Sequence, residues 1–359
     1  MFWRITEEVV GVKMDSAVRA AYCQLEEDVK RALNEHRGNH SVMSVGLNAL
    51  LMYPDRPHEV GELWGWEFNE ETGRREKFLI GRAEDLDREC LQAKARRLLE
   101  IVQGELQARR RCHLYAVYTQ KRDVTRRLES ILAREGIRVA VLTASVPTEK
   151  REAWIEKKLQ EGVQVTISHP KIIETGLDLL SHPTLIFCES GYSLHTLRQA
   201  SRRSWRIGQR QPVRVFYLHY EDTVQTACLR LMVKKLLVSL AMEGKFSGEG
   251  LQALGDGEDM PTAMARELVT EGGIGESAAA VWRQIQAEQS RMTPTTAHDP
   301  EPIANPPAEP AEPWPLAPQP AALPVAAPLT FGSPPPAGKL VRRQKRPNLN
   351  SRPNQLALF

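Results

Sequence analysis

Residues 111 to about 220 constrain this chain most, because short apolar runs there alternate with amphipathic segments. The apolar runs are His113–Tyr118, Arg138–Leu142, Val163–Ile167, Thr184–Cys188 and Val213–Leu218. Between them lie amphipathic stretches at Arg122–Glu135, Thr148–Glu161 and Leu194–Arg206. Short apolar runs bounded by turns read as strands covered on both faces. Strands alternating with helices imply crossover units and a parallel sheet with helices on each side. The predicted fold class is therefore α/β.

The flanking regions differ. Residues 1–110 read as mostly helical. Asp15 and Ser16 are placed to cap a helix through Leu25, Val29 and Leu33, and Ser41 to cap one from Val42 to Met52, before Pro54. Trp64, Trp66 and Phe68 alternate before a turn at Asn69–Arg75 with Gly73, and Lys77–Ile80 follows, which predicts a hairpin. A charged helix is expected over about Glu84 to Arg110. Residues 223–292 return to helix, with an apolar stripe in Thr223–Leu240. The last region, 293–359, holds 17 of the 24 prolines and many alanines. Such a segment buries no core, so an extended, disordered tail is expected.

Bulk charge says little, at +3 over 359 residues. Its distribution says more: from Lys339 to Phe359 there are six basic residues and no acidic one. The five cysteines show no C-x-x-C spacing, so no metal site is expected, and buried thiols fit better than disulfides. No apolar run approaches the ~18 residues of a membrane span. The start of the chain lacks the basic and apolar parts of a signal peptide. A cytoplasmic protein without a membrane partner is the expectation.

The segment Gln199-Ala-Ser-Arg-Arg-Ser-Trp-Arg-Ile-Gly-Gln209 carries the clearest chemistry. On a helix, Gln199, Arg203 and Arg206 share one face, while Leu197, Ala200, Ser204 and Ile207 form a second face suited to packing on the sheet. Two fixed guanidiniums on one face suit an anion, and their forks match phosphate oxygens. In phosphoryl transfer such arginines stabilise charge on the transferring group. A solvated basic helix end would show the same residues.

This segment resembles the last helicase motif of the Swi/Snf-type translocases, a branch of the superfamily-two helicases, which reads Gln-Ala-x-Asp-Arg-x-His-Arg-Ile-Gly-Gln. Seven of its nine fixed positions match in order; Arg202 replaces the acidic residue and Trp205 the histidine. The resemblance runs from near Ala95 to Ala241, and more loosely back to Val10. It implies a second RecA-like lobe over 111–222, a helical inter-lobe region before it and brace helices after it. Ser168-His-Pro-Lys-Ile-Ile-Glu-Thr-Gly-Leu-Asp178 is similar to the preceding motif. By that resemblance Ser168 and Thr175 touch the nucleic-acid backbone, Gly176 and Asp178 face the nucleotide with Gln199, and Arg203 and Arg206 act as arginine fingers.

A motor of this class also needs a glycine-rich loop ending Gly-Lys-Ser/Thr and an acidic pair for Mg²⁺. The sequence has neither: Gly338-Lys339 is followed by Leu340 and preceded by prolines. The chain is thus expected to be the C-terminal portion of a longer motor or half of a split one. ATP and Mg²⁺ would be held mainly by an absent P-loop-bearing lobe, leaving this chain inactive alone. DNA is the expected substrate. The alternative is a non-catalytic adaptor that binds DNA and a sliding clamp. The final Gln355-Leu356-Ala357-Leu358-Phe359 resembles the bacterial sliding-clamp-binding pentapeptide, with Gln355 orienting and Leu356, Leu358 and Phe359 anchoring.

Overall fold

A computed structural model describes residues 5–118, 123–174, 176–189, 191, 194–232 and 260–269. Six parallel strands form its main sheet: β1 (Ile5–Val12), β4 (Cys112–Tyr115), β5 (Val139–Leu142), β6 (Val165–Ser168), β7 (Thr184–Phe187) and β8 (Val213–Tyr220). Their order is β1-β8-β7-β4-β6-β5. β2 (Glu62–Asn69) and β3 (Arg74–Arg82) pair separately as an antiparallel hairpin.

Alternate residues of each strand enter different cores, as a sheet covered on both faces requires. Tyr115, Phe187, Val215 and Tyr217 face one side with α1 (Ser16–Glu35) and α2 (His40–Met52). Leu114, Ile186, Phe216 and Leu218 face the other, under α3 (Ala93–Gln107) and α4 (Thr125–Arg134). On the first face Tyr115, Phe187 and Tyr217 are register partners, and their rings stack at 4.5 and 5.0 Å. The remaining helices are α5 (Arg151–Gln160), α6 (Pro170–Glu174), α7 (Leu194–Ser201), α8 (residues 224–232) and α9 (Met260–Val269).

Several elements depart from the sequence expectation. β1, from the nominally helical N-terminal region, is a sixth strand, paired with β8 from Ile5↔Val213 to Val12↔Tyr220. The charged helix starts at Ala93, not near Glu84. Upstream of it Asp87 Oδ1 accepts from Glu89 N at 3.0 Å, and Leu86 N reaches Pro57 O at 2.7 Å, so the backbone is committed elsewhere. Asn39, not Ser41, caps α2, through bonds from Ser41 N and Val42 N; Ser41 Oγ accepts from Trp66 N at 3.0 Å. Asp15 precedes α1 without capping it. Its carboxylate accepts from Ala93 N at 2.8 Å, serving the first turn of α3 instead.

Candidate functional site

α7 ends at Ser201, so Arg203 and Arg206 do not lie on the helix that the spacing predicted. Past Ser201 the chain makes successive three-residue turns: Arg203 N bonds Ala200 O at 3.3 Å and Trp205 N bonds Arg202 O at 3.1 Å. Carbonyls that would extend the helix have other donors: Ser201 Oγ donates to Arg198 O at 2.9 Å and Tyr115 Oη to Ala200 O at 3.1 Å. Bonds from outside then hold the turn itself. Leu179 N binds Arg203 O at 2.9 Å, and Gln209 Nε2 binds Ser204 O at 2.9 Å and Leu180 O at 3.2 Å. Gln209 Oε1 also accepts from Arg210 N and Gln211 N. Gln209, a matched motif position, is thus a staple. Ser204 Oγ donates to His182 O at 2.6 Å, fixing the turn to the loop before β7.

This tight turn still brings the two arginines to one side. Arg206 Nε lies 3.5 Å and Arg203 Nη1 3.9 Å from Asp178 Oδ1. Asp178 and Arg206 are about half exposed, whereas Arg203 is only 8% exposed. Gly176, with φ of +94°, opens the loop that carries Asp178. Leu197, Ala200 and Ser204 are buried as expected, but Ile207 is 86% exposed, because the turn swings it off the sheet. Gln199 lies half-buried on α7. The two departures from the motif meet each other: the Arg202 guanidinium lies 5.1 Å from the Trp205 ring centroid, and Arg202 Nη2 is 3.9 Å from Glu7 Oε2 on β1. The histidine and acid of the pattern are replaced here by a contacting pair.

Ser168 is placed differently from the expectation of a backbone-touching hydroxyl. It is fully buried, and its Oγ is 3.0 Å from His113 Nε2. His113 Nδ1 is 2.6 Å from Thr166 Oγ1, which lies 3.1 Å from His182 Nε2. Burial lowers both imidazoles, His182 to about 3. This is an internal polar chain of neutral histidines. Thr175 lies outside the described residues, as do Gln355, Leu356, Leu358 and Phe359. Among the described residues no group of His, Cys, Asp and Glu is arranged to hold a metal, and no helix is long and apolar enough to cross a membrane.

At the opposite, carboxyl end of the strands a cavity of 290 Å³ opens among Tyr118, His169, Lys171, Phe187, Glu189 and Thr196. Glu189 follows β7's apolar run. Its Oε2 accepts from Val117 N at 2.8 Å and Tyr118 N at 3.0 Å, joining the ends of β7 and β4. Its Oε1 is buried without a hydrogen-bond partner. Burial, then repulsion from Asp55, pushes this carboxyl up to about 8, against the amides and Lys94.

A carboxyl raised in the folded state stabilises fully below its unfolded value and loses that contribution as pH rises through the folded one. The window here runs from about 4.5 to about 8. The buried histidines, shifted downward, act only below their unfolded value of 6.5. Between pH 6.5 and 8 the melting temperature should therefore fall by a few degrees, on the order expected for ~1–2 kcal/mol. Glu189→Gln should flatten that slope, and equal slopes in both proteins would refute the assignment.

Behind Glu189 lies a second buried polar centre. Lys94 Nζ is 2.7 Å from Asp55 Oδ1 and donates to Gln225 Oε1 at 3.1 Å. Gln225 Nε2 donates to Asp55 Oδ2 at 2.8 Å and Leu51 O at 2.7 Å. Burial raises the Asp55 carboxyl despite the ammonium beside it. This centre fastens α2, α3, β8 and α8 together. Nothing in the sequence spacing marked it.

The comparisons with known proteins fit this geometry. Residues 93–208 match the helicase conserved C-terminal domain. The chain is 29% identical over 136 residues to the chromodomain-helicase-DNA-binding protein 1-like of Danio rerio, covering 37% of this chain and 13% of that protein. It is 29% identical over 159 residues to helicase swr1 of Schizosaccharomyces pombe, covering 42% and 12%. Residues 93–208 are thus similar in sequence to the C-terminal domain of helicases of this kind. The chain spans about an eighth of the length of these relatives. In fold, the described residues are similar to the C-terminal part of the Fun30 ATPase domain, with a TM-score of 0.53 and 12% identity over 75% of this chain and 99% of that one. The Sulfolobus solfataricus SWI2/SNF2 ATPase core domain aligns at a TM-score of 0.50 and 18% identity, over 76% of this chain and 49% of that one.

Proposed function

We propose that this lobe is the second half of a DNA-dependent ATPase motor, supplying Arg203 and Arg206 to ATP phosphates gripped by a separate P-loop-bearing lobe. The observation that carries the reading is the convergence of both guanidiniums on the Asp178 carboxylate, before the start of β7. The half-exposed Asp178–Arg206 pair is worth only about 0–1 kcal/mol, and the 3.9 Å contact to Arg203 is longer than a hydrogen bond. Asp178 thus holds the arginines in place without outcompeting a polyphosphate, which offers more charge and more acceptor oxygens. The exposed Ile207 beside them gives the partner lobe an apolar contact.

Nucleic acid belongs at the other end of the sheet. His169 and Lys171, with the Tyr118 and Glu189 loops, surround the cavity at the strands' carboxyl ends, where open α/β sheets receive ligands. Phosphates at one edge and a nucleic-acid strand at the other would let closure on ATP shift the lobe along its track. Mg²⁺ and the phosphate cradle would come from the partner lobe, since this sequence has no loop for them.

The test is complementation. The purified chain, DNA and ATP are mixed with the P-loop-bearing first lobe of a Swi/Snf-type ATPase or with any neighbouring-gene product that carries such a loop. Turnover is expected only when both lobes and DNA are present. DNA binding without turnover in any mixture would instead establish the adaptor, in which the lobe tethers DNA without catalysis.

A further inference from the structure

The β2–β3 hairpin takes no part in the phosphate-facing edge or the carboxyl-end cavity, yet it has the most aromatic exposed face among the described residues. Side chains of a strand alternate between faces, and directly paired residues share one. Trp64, Trp66 and Phe68 on β2 pair with Leu79, Lys77 and Arg75 on β3, so these six form one surface. Trp66 is 51% and Phe68 60% exposed, and Leu79 is also exposed.

The reverse face explains why this one is outward. Leu63 and Ile80 are buried there. Phe78 stacks on His36 of the segment after α1, with centroids 3.9 Å apart. Gly65 permits the Phe78 ring to lie flat on the strand, since a Cβ would stand 2.4 Å from Phe78 Cζ. The backbone at Trp66 is clamped by both of its polar groups: its N donates to Ser41 Oγ at 3.0 Å and its carbonyl accepts from Asn39 Nδ2 at 3.1 Å. The strand is thus fixed on α2 while the Trp66 ring is held outward.

Charge is sorted between the two faces as well. Lys77 sits 4.0 Å from the Trp64 ring centroid, capping that ring and leaving Trp66 and Phe68 open. Glu67 and Glu76 are on the reverse face, engaged by His36 and Asn69. From Trp64 to Phe68 and across to Arg75 the outward face therefore carries two cations and no carboxylate. Glu70 and Glu71 at the turn mark its outer limit.

We propose that this face is a docking platform for single-stranded nucleic acid, with bases stacked on Trp66 and Phe68 and phosphates paired with Lys77 and Arg75. Open rings interleaved with cations are the chemistry of sequence-tolerant single-strand binding. Rings two residues apart on a strand are spaced about 6.8 Å, a distance that successive bases of an extended strand can match. A protein partner would find only Leu79 as further exposed apolar surface on this face, whereas a nucleic-acid strand uses both the rings and the charges.

The full chain is titrated with a labelled oligothymidylate and with a duplex, by fluorescence anisotropy, comparing wild type, Trp66→Ala/Phe68→Ala and Arg75→Gln/Lys77→Gln. Stacking of two bases predicts at least a tenfold loss of oligothymidylate affinity in the aromatic variant, with duplex affinity and melting temperature unchanged. The charge variant should bind the oligonucleotide with a shallower salt dependence. Absent oligothymidylate binding, unchanged affinity in the aromatic variant, or equal losses for single strand and duplex would each overturn the platform. So would an aromatic variant that keeps oligonucleotide affinity but loses self-association, which would assign the face to protein. The platform is independent of the motor reading, since complementation tests ATP turnover and this titration needs no second lobe.

Discussion

Arg203→Ala is expected to reduce ATP turnover of the two-lobe assembly by about 10³-fold or more, the scale of a lost arginine finger, while DNA affinity is retained. The side chain is almost enclosed, and its own carbonyl is bonded by Leu179 N, so the backbone that aims it is fixed from outside the turn. Preorganisation of that kind makes a charge effective against a transferring phosphate, because no reorganisation is needed when charge develops. Arg203→Lys should rescue little, since an ammonium lacks the forked geometry. Arg206→Ala provides the control for folding: its side chain is about half exposed, so its loss should slow turnover with little change in melting temperature. Multiple-turnover ATPase rates beside DNA-binding isotherms decide the matter. Turnover within a few-fold of wild type in Arg203→Ala would remove the finger assignment.

The second large effect concerns stability. Lys94→Met should cost about 3–5 kcal/mol, the usual result of leaving the partner of a buried ion pair uncompensated. Asp55 is already held above the usual carboxylate range by burial, with Lys94 opposing that rise. Removing the ammonium leaves the carboxyl to protonate or remain unpaired, and Gln225 loses a donor to its Oε1. The double variant Lys94→Met/Asp55→Leu should recover most of the loss, because neither charge then remains buried. Chemical denaturation measures both proteins. A single variant as stable as wild type would show that the pair contributes nothing to holding α2, α3 and α8 on the sheet.

Five of the six parallel strands were legible in the sequence because each is a mainly apolar short run flanked by polar turns, as a strand covered on both faces requires. β1 was not. Its two glutamates and half-buried pattern are those of an edge strand with one flank open, and nothing local announces a partner some 200 residues away. The arginine pair was legible in identity but not in geometry. Helical spacing placed Arg203 and Arg206 on one face, yet Ser201 Oγ and Tyr115 Oη occupy carbonyls of α7's last turn, and the arginines converge through a turn instead. Those donors are side-chain hydroxyls, which periodicity does not register. Ser168 and Glu189 show the same limit. Ser168 ends an apolar strand and Glu189 follows one, but only tertiary contacts turn one hydroxyl onto a histidine and one carboxyl onto the amides just past a neighbouring strand.

The β1–β8 pairing has a mechanical consequence. Eight consecutive residues of β1 run alongside β8 in the same direction. Tension drawn along β1 therefore loads the rungs of this ladder together in shear, instead of opening them one at a time like a zipper. The strand is a rigid coupling rod, and a tug on it turns the whole slab before it peels an edge.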